Sequence, residues 1–293
     1  MKKVIIVYGG DSNEKEISYE SAKSIFSNID KSKYDPLLID YKEVNFDKSW
    51  DNSIFFIAIH GEGGEDGEIQ EILENKKIKY TGSNSKAMKL CWDKAVSKKL
   101  MIEAGINTPN YVCFKKGSID FSGTFLVEGN DYFVKPAMNG SSYGISKINT
   151  LSELTEALNR AFQFSEVAIV EESYNVAEYT VAILGSTALP PLQIITEGNE
   201  FYNYAAKYQS NETIKIKVEE FSLAEKLKKI ALAAFLAHGC KTWGRVDIVS
   251  NGNDLAVLEI NTVPGFTEKS LFPLSAKYSG IEYQELVTEI IEH

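Results

Sequence analysis

Arg245, Asp247, Glu259 and Asn261 are the residues whose types and spacing say most about chemistry. They stand in two alternating runs, Trp243-Gly-Arg-Val-Asp-Ile-Val and Leu255-Ala-Val-Leu-Glu-Ile-Asn261, separated by Ser250-Asn-Gly-Asn-Asp. Asn-Gly between such runs signals a β-hairpin. Side chains alternate faces along a strand, and opposed residues share a face. An odd-length loop puts Arg245 and Asp247 on one face with Glu259 and Asn261. Val246, Ile248, Leu258 and Ile260 then share the other. An even-length loop without a bulge scatters both sets, so the pattern favours the odd register. Two carboxylates and an amide oxygen form a hard-oxygen cluster suited to Mg²⁺, which keeps room for substrate phosphates. The adjacent Arg245 can neutralise a phosphoryl group or an oxyanion. A solvated sheet face with an Arg–Glu pair is the plainer reading of these residues. The continuation Thr262-Val-Pro-Gly265 argues against it, because a Pro-Gly turn brings backbone N–H groups beside the acids.

Two more segments offer chemistry. Phe133-Val-Lys135-Pro leads into Asn139-Gly140-Ser141-Ser142-Tyr143-Gly144, a basic strand end followed by a Gly/Ser-rich loop that can offer N–H groups and hydroxyls to phosphate. It is not a Walker A loop, since no Gly-Lys-Ser/Thr opens a helix. His60-Gly-Glu-Gly-Gly-Glu-Asp-Gly67 follows an apolar run. Its spacing fails the dinucleotide fingerprint, and two acids would repel a pyrophosphate. A histidine at the C-terminal end of a parallel strand nevertheless lies where such sheets bind ligands. Glu171-Glu-Ser-Tyr174 reads by itself as a plain strand end.

The elements that must carry these residues follow from periodicity. Residues 4–8 form an apolar run closed by Gly-Gly, as in a buried parallel strand. Asn13 and Glu16 suit a capping box for a helix through Ile17, Ala22, Ile25 and Ile29. Strands are expected at 37–39 and 54–59, with a helix over 65–74. Residues 85–104 read as one helix ending at Gly105. Strand-like pieces follow at 111–114, 132–134 and 144–148, then a helix capped by Thr150 and Glu153 and a strand at 167–170. Longer strands at 179–184, 243–249 and 255–260 surround a helix over 222–237, opened by Ser222 and Glu225. This order predicts an α/β (α+β) protein: a doubly wound α/β domain over residues 1–83, then α+β domains over 84–175 and 176–293.

Composition narrows the class. The chain has 293 residues, 44% hydrophobic and 25% charged, which is ordinary for a globular protein. Its 31 Lys+Arg against 41 Asp+Glu give a formal charge of −10, the wrong sign for bulk attraction to nucleic acid or an anionic membrane. No apolar run approaches a membrane span, and the apolar run after Lys2-Lys3 is too short for a signal peptide. Cys91, Cys113 and Cys240 offer neither a disulfide framework nor a zinc pattern. A cytoplasmic protein is expected.

The ordered set of motifs is more specific than any member. His60-Gly-x-x-Gly-Glu-Asp-Gly, Lys135-Pro with its Gly-Ser-Ser-x-Gly loop, and Gly244-Arg-x-Asp…Glu-x-Asn-Thr-x-Pro-Gly265 occur in sequence. With them stand Gly9-Gly-x-Ser-x-Glu14, Tyr80-Thr-Gly-Ser83, Asp93-Lys94 and Phe201-Tyr-x-Tyr-x-Ala-Lys207-Tyr208. From residue 4 to about 273 the chain resembles the D-alanine–D-alanine ligases of the ATP-grasp superfamily. The resemblance implies an ATP-grasp fold, with the domain over 1–83 binding substrate and the other two binding nucleotide. It implies ATP-dependent joining of two D-alanines through an acyl phosphate, for peptidoglycan precursors. ATP phosphates would meet Lys94, Lys135 and Lys207 under the loop holding Gly140 and Ser142. Glu171, Glu172 and Tyr174 would line the adenine and Glu178 the ribose. Asp247, Glu259 and Asn261 would hold two Mg²⁺, or Mn²⁺. Glu14 would take the first D-alanine's ammonium, with His60 beside its carboxylate. Arg245 and the Gly265 N–H would stabilise the oxyanion, and Ser270 and Leu271 would receive the second carboxylate. Ser141 and Tyr208 would join Glu14 in closing a loop over residues 202–210. Relatives that make depsipeptides carry another residue at the Tyr208 position, so Lys207-Tyr208 implies the dipeptide. A homodimer is also implied. Lys15, Glu71, Tyr143 and Ala205 depart from the common family residues without removing any of these groups.

Overall fold

A computed structural model describes the chain apart from Asp11, Asn13, Gly123, Ser141 and residues 197–212. Ser141, Lys207, Tyr208 and the expected closing loop, and the Asn13 cap, therefore lie outside the described residues.

The first sheet is parallel. Strand β1 (Lys2–Tyr8) lies between β2 (Tyr34–Asp40) and β3 (Ser53–Ile57), with β4 (Lys79–Tyr80) beyond β3. Val4 to Val7 are fully buried because both sheet faces are covered. Val4 and Ile6 pack in the layer of α1 (Lys15–Asn28), while Ile5 and Val7 pack in that of α2 (Glu68–Asn75). Helix α2 starts three residues later than expected. Gly67 takes a left-handed φ of +87°, and Asp66 accepts from the N–H groups of Gly63 and Glu68, so His60 to Gly67 becomes a tight turn.

Residues 85–104 form two helices instead of one, α3 (Ser85–Trp92) and α4 (Lys94–Glu103). Asp93 is the reason. Its Oδ1 accepts from the N–H groups of Ala95 (2.9 Å) and Val96 (3.2 Å), a helix N-cap that competes with continuous helix. The break lets the Lys94 N–H donate to the Ala137 carbonyl, bringing this helix start to the glycine loop.

The second sheet is antiparallel, ordered β5 (Tyr111–Lys115), β8 (Val167–Glu172), β6 (Tyr132–Pro136), β7 (Ser146–Ile148). Helix α5 (Leu154–Ala161) covers it with Ala157, Leu158 and Ala161 fully buried. The expected Thr150/Glu153 box is present, Glu153 accepting from the Thr150 N–H at 3.2 Å.

The third sheet runs β12 (Ile214–Lys217), β11 (Leu192–Ile195), β9 (Ala177–Leu184), β13 (Trp243–Ser250), β14 (Leu255–Asn261), with β10 (Thr187–Ala188) on β9. Helix α6 (Phe221–Ala237) covers one face. Its cap is Glu220, which accepts from the Leu223 N–H, and not Ser222, which already lies inside the helix. Two last helices, α7 (Leu271–Tyr278) and α8 (Tyr283–Glu292), return to the first sheet. Leu286, Val287 and Ile290 share a core with Ile25, Ile29 and Val4, so the chain's two ends are packed together.

Candidate active site

The hairpin predicted from alternation is formed, by a different route. Arg245 pairs with Asn261, Val246 with Ile260 and Asp247 with Glu259. The connecting loop holds four residues, because Asn251 Oδ1 accepts from the N–H groups of Asn253 and Asp254 and closes an Asx-type turn. An even loop would scatter the two faces. A bulge at Leu258 restores them, since Ile248 pairs with Val257. Val257 therefore takes the core position expected for Leu258, beside Val246 and Ile248, while Leu258 lines a pocket with Glu259.

Asp247 is the hub of the polar face and is only 2% exposed. Arg245 donates to it through Nε (2.9 Å) and Nη2 (2.8 Å), Asn261 through its amide (2.8 Å) and Thr180 on β9 through its hydroxyl (2.6 Å). Lys94 Nζ lies 3.6 Å from Glu259 and donates to the Asn139 carbonyl at 2.8 Å. Asp247, Glu259 and Asn261 supply hard oxygens on one face. Among the described residues no three His, Cys, Asp or Glu side chains form a metal-binding group. A divalent ion held by this set would complete its shell with water or phosphate, as suits Mg²⁺.

Two adjoining pockets open beside the hairpin, with volumes of about 470 Å³ and 280 Å³, both bordered by Lys135, Ser142 and Glu259. The larger also holds Glu14, His60, Lys94, Gly140, Arg245, Asn261, Gly265, Ser270 and Leu271. The smaller holds Glu171, Glu172, Tyr174, Glu178 and Asp247. Every expected site residue within the described part of the chain lines one of the two.

Glycines make room for Glu14. A Cβ at Gly61 or at Gly140 would lie 2.7 Å from its Oε2. The His60-Gly and Asn139-Gly140 motifs thus close on the same oxygen of one buried carboxylate, and a Cβ at Gly140 would lie 3.7 Å from the Gly61 Cα. At the glycine loop's far end, a Cβ at Gly144 would meet the ring of Phe164 at 2.6 Å, and Tyr143 packs on that same ring.

His60 is buried, with both ring nitrogens engaged inside the protein. Nδ1 lies 2.8 Å from the Val263 carbonyl and Nε2 lies 3.0 Å from Ser21 Oγ. Burial lowers its pKa, but Glu65, 3.7 Å from Nδ1, and the charge of Glu14 outweigh it and leave the value raised. Ser21 Oγ in turn accepts from the Phe266 N–H at 3.1 Å. The turn bearing Gly265 is therefore held on both sides by groups from the first sheet's layer. Ser270 stands at the N-cap position of α7 with its Oγ turned back to accept from the Thr267 N–H at 3.0 Å, so Ser270 and Leu271 stand at a helix N-terminus that favours a carboxylate.

Lys135 forms an ion pair with Glu171 Oε1, and Lys98 lies 2.9 Å from Glu171 Oε2. Burial works to raise the Glu171 pKa, but the two lysines prevail and lower it. Burial lowers that of Lys98, against the pull of Glu171. Sequence reasoning missed Lys98. One signal was available: it lies four residues after Lys94, hence on the same helix face. No local signal marks Ser21, Thr180 or Tyr283. Nor does spacing bring Cys91 and Cys240 together, yet their sulfurs stand 3.5 Å apart as buried free thiols.

Comparison with known proteins decides the family. Residues 100–292 match the model "D-ala D-ala ligase C-terminus", and residues 3–53 match "D-ala D-ala ligase N-terminus". The chain belongs to the D-alanine–D-alanine ligase family. It is 40% identical to the D-alanine–D-alanine ligase of Vesicomyosocius okutanii, over 98% of this chain and 99% of that one. The ligase of Saccharophagus degradans is 38% identical, over 99% and 93%. Among solved structures, the ligase of Bacillus anthracis complexed with ATP superposes with a TM-score of 0.89 at 31% identity, covering 100% of this chain and 97% of that one. The VanG D-Ala:D-Ser ligase of Enterococcus faecalis gives 0.85 at 26%, covering 99% and 98%. The ATP-grasp fold is thereby that of this family member.

Proposed function

We propose that this ligase uses ATP to phosphorylate the carboxylate of one D-alanine, and that the amine of a second D-alanine attacks the acyl phosphate to give D-alanyl-D-alanine, ADP and phosphate. A carboxylate is a poor electrophile, and phosphorylation supplies its leaving group. The observation that carries this reading is the Arg245/Asp247–Glu259/Asn261 face, set between a pocket with Glu14 and Gly265 and a pocket with Glu171 and Glu178.

In this reading Glu14 receives the first D-alanine's ammonium, and the edge of His60 lies beside its carboxylate. Lys94 and Lys135, with Lys207, bind the phosphates under the loop of Gly140, Ser141 and Ser142. Glu171, Glu172 and Tyr174 line the adenine and Glu178 the ribose. Asp247, Glu259 and Asn261 would hold Mg²⁺, or Mn²⁺, two ions in all; bound there, the metal screens phosphate charge. Arg245 and the Gly265 N–H stabilise the oxyanion that forms as the amine attacks. Ser270 and Leu271 take the acceptor carboxylate. Ser141 and Tyr208 complete a hydrogen-bonded closure with Glu14 that keeps water from the acyl phosphate.

The family relation supports a homodimer working in the cytoplasm, and in the structure no described helix is long and apolar enough to cross a membrane. The test is product analysis with ATP, Mg²⁺ and D-alanine, alone and mixed with D-serine or D-lactate. D-alanyl-D-alanine with one ADP per dipeptide is expected. ADP release with only mixed products would reassign the acceptor, and no turnover would refute the reading.

A further inference from the structure

Lys98 is a charge that the proposed reaction leaves unused. It is 1% exposed and lines neither of the two pockets. Its Nζ donates to Thr108 Oγ1 at 2.7 Å, lies 2.9 Å from Glu171 Oε2 and sits 5.5 Å from the centre of the Tyr111 ring. A lysine in such a place is costly unless its charge is required. Glu171 does not need it at rest, because Lys135 already pairs with the other carboxylate oxygen. Two ammonium groups face one buried carboxylate at the wall between the two pockets, with Glu259 a further acid acting on Lys98.

We propose that Lys98 is a positioning residue, the permanent counter-ion of Glu171, which frees Lys135 to leave Glu171 for the phosphates of ATP. This rests on the ATP-dependent reading above. With Lys135 as its sole partner, Glu171 would be stranded as a bare buried carboxylate whenever Lys135 turned to the nucleotide, and the ion pair would compete with phosphate. With Lys98 held by Thr108 and the Tyr111 ring, Glu171 stays paired as Lys135 departs. The two lysines approach from different sides. Lys135 comes from β6, next to β8 in the sheet, and Lys98 comes from α4.

The test is a double-substitution cycle in the full chain, read by calorimetric titration with ADP and Mg²⁺ and by steady-state kinetics. Lys98→Met should weaken ADP binding at least tenfold and raise the KM for ATP to match, with the KM for D-alanine changed less than twofold. In a Glu171→Gln background the same change should alter ADP affinity less than twofold, because no carboxylate remains to retain Lys135. Lys98→Arg should restore most of the affinity. Unchanged ADP affinity in Lys98→Met, or an equal loss in both backgrounds, overturns the proposal. If Lys98→Met fails to fold, the Glu171→Gln/Lys98→Met pair should fold; failure of both makes Lys98 structural and also overturns it. Dipeptide synthesis by the unsubstituted protein is scored separately, so a failed ligase assignment remains distinguishable from a failed role for Lys98.

Discussion

Tyr283 donates its hydroxyl to the Phe266 carbonyl at 2.5 Å, tying the last helix to the turn that carries Gly265. The same turn is bonded by His60 at Val263 and by Ser21 at the Phe266 N–H. Three elements distant in sequence thus fix the backbone whose N–H is proposed to meet the oxyanion. Preorganised donors of this kind lower a barrier because they need no rearrangement during reaction.

Tyr283→Phe removes one anchor and leaves the ring packed on Phe266. We expect a stability loss of about 1 kcal/mol. Turnover should fall several-fold with little change in the KM for ATP. Thermal melts and steady-state kinetics check both. An unchanged turnover number would separate the anchor from catalysis.

Gly140→Ala tests the approach to Glu14. No strained φ is involved at Gly140, so the added methyl acts through the 2.7 Å contact with Glu14 Oε2. We expect kcat/KM for D-alanine to fall by roughly tenfold or more, an effect of about 1.4 kcal/mol. The melting temperature should stay near that of the parent. Wild-type kinetics would show that Glu14 has room to move.

Buried His60 and half-buried Glu65, 3.7 Å apart, predict a pH dependence. The folded pKa of His60 lies above its ordinary value of 6.5. The resulting stability is fully present below the unfolded pKa and is lost as pH rises through the raised folded value. Glu65→Gln removes the largest favourable contributor. The parent should therefore exceed the variant in melting temperature most at about pH 6, with the gap narrowing towards about pH 9. A gap that widens with pH would reverse the sign assigned to His60.

Asp247 and Glu259 should respond differently to loss of charge. Asp247 neutralises the buried Arg245, so Asp247→Asn should destabilise the fold by about 3 kcal/mol as well as stop turnover. Glu259 is more open, with Lys94 at 3.6 Å, and Glu259→Gln should cost less than about 1 kcal/mol of stability. Its turnover should nonetheless fall by about two orders of magnitude. Its Mg²⁺ requirement should shift upward in a metal titration. Parental activity in Glu259→Gln would remove the proposed metal role.

Much of this was present in the chain's local pattern. Buried alternation forces Arg245 and Asp247 to share a face with Glu259 and Asn261, whatever turn joins them, because the opposite register would expose Val246 and Ile248. The continuous apolar run of β1 likewise requires cover on both faces. The net charge of −10 excluded polyanionic partners in bulk, yet said nothing of the local gathering of Lys94, Lys98, Lys135 and Arg245. Tertiary structure decided the rest. The bulge at Leu258 reconciles a four-residue turn with a face pattern that needs an odd one. Asp93 breaks a continuous helix-forming stretch because its cap and the contact of Lys94 with Ala137 together outweigh one more helical turn. Glu14 meets Gly61 and Gly140 at one oxygen, and the Gly265 turn is held by Ser21, His60 and Tyr283, through contacts between segments far apart in the chain. Periodicity along a sequence records which side of an element is buried. Which groups meet there depends on how separate elements pack, and no local pattern encodes that.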